Sequence, residues 1–398
     1  MPLVWSKPLN HFVNSVAISN DGQLVAAGTY FYPYGVKPGH PPLPSVTDGT
    51  FGTYAFDASG NELWRREFVG NEGIYSVAVS GNGQVVAAGG LRSGGQRSSD
   101  PSTPTKCTVR AYDANGSGLL KFQALHTRVN SVSLDHQGKV LAAGLMAGQL
   151  LVFRRGTGDF LPTPDTAVSG AGPRIDMVAV HPSGEYLIAA AWKSKFYLVT
   201  LNKGAVDKVF TWTAQGPKLE LLACALASDN GVDRFVVAGH NKVFLLTKSS
   251  MMAPGGPQYV DVYETPSGGT YRDIRWLAMS GDGSLVTVVQ NLGDDQNGTL
   301  LTLSCDGNSL TELRPPATLR FNPNSTSISA DGALITAADG HPVKAPGTFY
   351  IIRASDGAVL MQHPTDDMNW PMVISKDGTA AAAGSDLFTG DNLFYFTP

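Results

Sequence analysis

HFVNSVAISNDGQLVAAG (11–28) is the stretch that decides the fold. It reads as a strand in which larger residues (Val16, Ile18) flank a small one (Ala17), a tight turn ending in Gly22, and a second strand of small apolar residues. Period-two alternation marks a strand packed on both faces. The Asn-Asp-Gly turn suits a short hairpin whose glycine takes positive φ.

The phrase recurs along the whole chain. Its turns are SNDG (19–22), SGNG (80–83), DHQG (135–138), HPSG (181–184), SDNG (228–231), SGDG (280–283), SADG (329–332) and SKDG (375–378). Mean spacing is about 51 residues, near the range that signals a repeat architecture. A third strand follows in each unit, for example TYAFD (53–57) and FYIIR (349–353). Most units add a fourth, such as NELWRREF (61–68). Four antiparallel strands repeated around an axis predict an all-β fold, an eight-bladed β-propeller.

The ends predict how the ring closes. The eighth unit stops after its third strand, and PLVWSKPL (2–9) precedes the first unit as an orphan strand. Trp5 in it matches Trp64 in ELWRRE (62–67). The N-terminal strand is therefore expected to complete the last blade, which would comprise about 368–398 plus 2–9 in a single domain spanning 1–398. Closure protects edges that an open sheet would leave exposed. Unit 5 is the weakest copy, because its second strand, VDRFVVAG (232–239), needs two extra residues.

On these residues the chain resembles two families of propeller repeat. HFVNSVAISNDGQLVAAG resembles the opening of a WD40 repeat, with its His, its Ser-Val and its Asp-Gly turn. TYAFDASGNELW (53–64) resembles the quinoprotein-type repeat, in which a D-A-x-G turn leads into a Leu-Trp strand. The resemblance implies the fold. The WD dipeptide of true WD40 repeats is absent, as is the adjacent Cys-Cys pair that quinoprotein alcohol dehydrogenases would imply. Neither likeness implies a cofactor, and fold alone assigns no function.

Composition narrows the partners. Among 398 residues the net charge is −4, and no Lys/Arg run provides the clustered basic footprint that nucleic acid requires. No run of 18 apolar residues is present, so no membrane span is expected. No signal peptide is visible at the start. Cys107, Cys224 and Cys305 are far apart and odd in number, which favours free thiols and a cytoplasmic setting. No feature points to an oligomeric state.

Function is expected where the repeats differ. The bottom turns are monotonous, whereas the top loops lengthen, above all at 28–49 and 90–107. Long loops of this kind are usually functional. Tyr32 and Arg92 in these loops are candidate ligand contacts. The residue eight before each turn glycine is expected at the mouth of the central channel: Asn14, Tyr75, Asn130, Asp176, Ala223, Arg275, Asn324 and Trp370. Seven of these are polar or aromatic, which suits ligand binding; the competing reading is capping around a wet channel. His11, His40, His341 and His363 come from neighbouring blades, with Asp366 and Asp367 in the same arc. They are the candidate metal ligands, although no HxH or HExxH spacing accompanies them and surface histidine is the competing reading.

Other motifs fall away. Asp113, Asn115 and Ser117 imitate a calcium loop without its closing glutamate. GGLRSGG (89–95) precedes no helix, and no GxSxG occurs. The expected function is a binding module that presents its top face and channel mouth to a small molecule or a protein partner. The alternative is an enzyme at that face, either a lyase or hydrolase or a quinoprotein-type oxidoreductase. A third reading is a purely structural scaffold.

Overall fold

The computed structural model describes residues 2–30, 50–69, 73–92, 106–125, 127–169, 172–215, 220–229, 232–265, 274–291, 298–315, 317–340, 346–386 and 390–397. Side chains at 50, 68, 69, 91, 92, 106, 125 and 229 are likewise outside the description. The strands form eight sheets, and in all but the last chain order runs from the axis outward. Blade 1, for example, is Phe12–Ile18, Leu24–Tyr30, Thr50–Asp57 and Glu62–Val69. Every blade has four antiparallel strands, and the sixth carries a further short one, Ala317–Thr318. Blade 5, the weakest in sequence, is regular: Ala223–Asp229 pairs with Val232–Gly239 without a break in register.

The ring closes as the orphan strand predicts. Leu3–Lys7 pairs antiparallel with Leu393–Phe396 and forms the outer strand of blade 8. Trp5 stacks on Tyr395 at 5.1 Å between ring centroids. Its Nε1 donates to the Ala58 carbonyl at 3.0 Å, in the D-A-x-G turn of blade 1. Trp64 repeats the arrangement one blade on, donating to the Ala114 carbonyl at 3.0 Å.

The small second strands have a packing reason. In blades 1, 2 and 3 they carry, one to three residues before their ends, glycines (Gly28, Gly89, Gly144) lying under Ile74, Val129 and Ile175 of the next blade. A Cβ on Gly28 would stand 2.5 Å from the Ile74 Cγ2, so the sheets approach only because it is missing. Ile74, Val129 and Ile175 are all buried, and burial of such a side chain contributes about 1.5–3 kcal/mol.

The bottom turns are tied to one another around the ring. Asn20 N–H donates to the Gly81 carbonyl, Asn82 N–H to His136, and His136 N–H to Pro182. Gly281 N–H donates to Ala330, Ala330 N–H to Lys376, and Asp377 N–H back to Asn20. The last bond crosses the seam between blades 8 and 1. Within a typical turn, Ser19 Oγ donates to Asp21 and accepts from Leu24 N–H, while Gly22 sits at φ 70°. Among the described residues the single helix is Lys248–Met251, so no helix is long and apolar enough to cross a membrane.

Candidate functional site at the channel mouth

The residues eight before each turn glycine share one structural property. In seven blades the pairing of the first two strands slips at that position: at Asn14, Tyr75, Asn130, Asp176, Arg275, Asn324 and the Trp370–Pro371 pair. Each is the extra residue of a β-bulge. A bulge bends its strand and re-aims the side chain. The eighth, Ala223, pairs regularly with Ala238. The polar or aromatic residues therefore coincide with the bulges, and alanine with their absence.

Three of these side chains cross-link blades. Asn14 donates to the Tyr75 carbonyl at 3.4 Å, Asn130 to Ile175 at 2.9 Å and Asn324 to Asn369 at 2.6 Å. The serine after the bulge works alongside. Ser15, Ser76, Ser131 and Ser325 each accept from an inner-strand N–H of the next blade, on Val77, Val132, Val178 and Met372. Between blades 4 and 5 the Met177 sulfur takes that place, accepting from Cys224 N–H at 3.3 Å. The asparagines are thus committed to the scaffold, each tying its blade to the next.

Two arginine–aromatic pairs stand over blades 2–4. The Arg128 guanidinium lies 4.6 Å from the Tyr75 ring centre and donates to Asn130 Oδ1 at 2.9 Å. Arg174 lies 3.9 Å from the Trp192 ring centre and pairs with Asp176 at 2.9 Å. Tyr75 packs in turn on Tyr30, at 5.3 Å. Both arginines are half-buried, as are Tyr75, Asp176 and Trp192. Burial pushes the Asp176 carboxyl up to about 6, with Glu220 adding to the rise, against the opposing pull of Arg174 and Arg128. A guanidinium over an aromatic face keeps N–H donors at its edge for another acceptor.

These arginines stand ten residues before their turn glycines, two before the mouth position. The signal in sequence is Arg-x-Asn (128–130) followed by Arg-x-Asp (174–176) in consecutive repeats. Reading only the bulge column passes over it.

The other candidates are placed as follows. Arg275 is exposed, and its Nε is in reach of the Asn291 side-chain oxygen at 3.1 Å. Trp370 is half-buried, and its Nε1 is shielded. His11 stands at φ 66° with its ring 4.6 Å from Phe51. His363 packs against Phe394 and Phe396 of blade 8, and burial lowers its pKa. Asp366 is exposed, whereas Asp367 is buried and accepts from Met368 N–H. Among the described residues no group of three His, Cys, Asp or Glu side chains could hold a metal ion. Tyr32, His40, His341 and the Arg92 side chain lie outside the described residues. Cys107, Cys224 and Cys305 are buried free thiols, and burial raises all three pKa values, Cys224 to about 12.

The sequence matches no family model, and no match to it is found among the curated proteins. Similar solved structures include the β-propeller domain of Cps50 (Swd1) from Myceliophteria thermophila, at 12% identity and TM-score 0.55, covering 100% of this chain and 99% of that one. Sqt1 of Chaetomium thermophilum, bound to the N-terminus of ribosomal protein L10, gives 12% identity and TM-score 0.63 over 98% and 97%. The Dos1 propeller gives 11% and 0.62 over 99% and 93%. At these identities the likeness is one of fold, and in fold this chain is an eight-bladed β-propeller.

Proposed function

We propose that this chain is a protein-interaction propeller that receives an acidic segment of a partner protein on its upper rim over blades 2–4. The observation that carries the reading is the repeated Arg-x-Asn/Asp step, which sets Arg128 and Arg174 on aromatic rings at adjacent blades of the channel mouth. Guanidinium groups recognise carboxylates in bidentate fashion, and aromatic and arginine side chains are enriched where interfaces are strongest. Arg174 is partly offset by Asp176, but the Arg128 guanidinium is hydrogen-bonded only to a neutral amide among the described residues. Sqt1, a propeller of similar fold, is seen with a protein N-terminus bound. An enzyme at the same face would need a reacting group beside the arginines, and Asp176 is already held by Arg174.

The test is titration of a fluorescein-labelled Asp/Glu-rich peptide into the purified protein. Micromolar binding that weakens with salt is expected, because exposed charge pairs are screened. Arg128→Glu with Arg174→Glu should abolish it. Binding that survives the double reversal would sink the proposal, as would indifference of the wild-type protein to the peptide.

A further inference from the structure

The second residue of each bottom turn forms its own ring: Asn20, Gly81, His136, Pro182, Asp229, Gly281, Ala330 and Lys376. Backbone bonds tie seven of these turns to their neighbours, those of blades 6, 7, 8, 1, 2, 3 and 4, and hold the position at a common level along that arc. Its inward direction follows from one contact. Asn20 Nδ2 of blade 1 lies 3.3 Å from His136 Nδ1 of blade 3, passing over Gly81 of blade 2. Side chains two blades apart meet only on the axial side of the blade between them. Gly81 is required for this, since a Cβ there would stand 2.2 Å from the His136 ring and 2.7 Å from the Asn20 amide.

Lys376 occupies the same position in blade 8, next to Asn20 across the closure seam. It is exposed, and desolvation by the surrounding protein lowers its ammonium pKa. Both hold for a group inside a wet opening. No described carboxylate pairs with it. The nearest acids in sequence are turned into their own loops: Asp377 accepts from Ser375 Oγ and Thr379 N–H, and Asp21 from Ser19 Oγ and Gln23 N–H. The intervening ring positions are small (Gly81, Gly281, Ala330) or lack a donor (Pro182).

We propose that the lower end of the channel is a binding site for a compact oxyanion of the phosphate class, with Lys376 supplying charge and Asn20 and His136 supplying hydrogen bonds. An ammonium with no carboxylate partner among the described residues is stabilised by an anion that reaches it through water, and charge-assisted bonds to such a group are strong. The Asn20–His136 bridge narrows the opening, which favours a small ion over a peptide. This site is independent of the upper rim.

Isothermal titration with inorganic phosphate tests it, alongside thermal unfolding in phosphate and in chloride of equal ionic strength. Phosphate should bind with 1:1 stoichiometry and raise Tm beyond chloride, since a ligand of the native state shifts its stability. Lys376→Met should weaken binding by about tenfold or more. Asn20→Ser, a milder change, should weaken it less. Asp229→Asn separates an added anion from an internal ion pair. Binding retained or tightened in that variant supports the proposal. Absence of phosphate binding by the wild-type protein, unchanged binding in Lys376→Met, or binding that appears only in Asp229→Asn would overturn it. Binding of the acidic peptide to Lys376→Met as to wild type is expected and keeps the two sites distinct.

Discussion

Trp5 and Ala58 lie at opposite sides of the seam that closes the ring, and the Trp5 Nε1 donates to the Ala58 carbonyl at 3.0 Å. The indole also covers Gly60, at φ 81°, where a Cβ would approach the Trp5 Cγ to 2.8 Å. The hydrogen bond, the stack on Tyr395 and the bare glycine beneath make one latch. Trp64, Ala114 and Gly116 make a second between blades 1 and 2. The difference is what each latch holds: the second joins consecutive blades, whereas the first joins the two ends of the chain.

Trp5→Ala should therefore cost about 3 kcal/mol, at the lower end for aromatic truncations because the ring is only half-buried. Gly60→Ala should also destabilise, by about 1 kcal/mol or more, through positive φ and collision with the indole. Urea unfolding monitored by circular dichroism measures both. A fall in m-value for Trp5→Ala would indicate that the seam opens before the rest unfolds. A loss below about 1 kcal/mol for Trp5→Ala would show that strand pairing alone closes the ring.

The mouth asparagines give a second expectation. Asn130 and Asn324 each satisfy a carbonyl of the next blade, so replacing either with alanine removes a bond worth about 1 kcal/mol. The changes should add, because blades 3 and 7 stand four places apart around the ring. Ala223→Asn is the control: blade 5 has no bulge to aim the new side chain, so no gain is expected. Thermal unfolding of the single and double variants decides it. A neutral Asn130→Ala, Asn324→Ala pair would mean that water replaces both amides.

Much of this fold is legible in local sequence. The turn phrase, the alternation around Val16 and Ile18, and the likeness of Trp5 to Trp64 are each contained within about a dozen residues, which is why blade number and closure follow from them. The bulge column is also visible, as polar residues before small strands. What each bulge residue touches is not. Asn130 bonds Ile175, 45 positions away, and Asn20 meets His136, 116 away. Such partners depend on how neighbouring blades are set against each other, and a repeat read singly carries no record of that. The bottom turns look uniform for the same reason. Their second residue varies freely in each local turn, and its meaning arises only when eight turns face one axis.

Asp176 supplies the last expectation, through pH. Its carboxyl titrates near 6 in the folded protein against an ordinary value of 3.8, chiefly because burial penalises the charge. The folded state thus holds this proton more tightly than the unfolded state does. The associated stability is fully present below about pH 4 and is lost as pH rises to about 6, leaving a constant penalty above. Asp176 is mostly shielded, at 16% side-chain exposure, so screening removes only part of this. Asp176→Asn should flatten the stability slope between about pH 4 and 6 and stabilise the protein at pH 7 by about 1–3 kcal/mol. It should also tighten the acidic peptide on the upper rim, because Arg174 then carries uncompensated charge. Urea titrations at pH 4.5, 5.5 and 7 follow the first effect, and peptide anisotropy follows the second. A variant that is less stable than wild type at pH 7 would show that the bond to Arg174 outweighs the cost of burying the carboxylate.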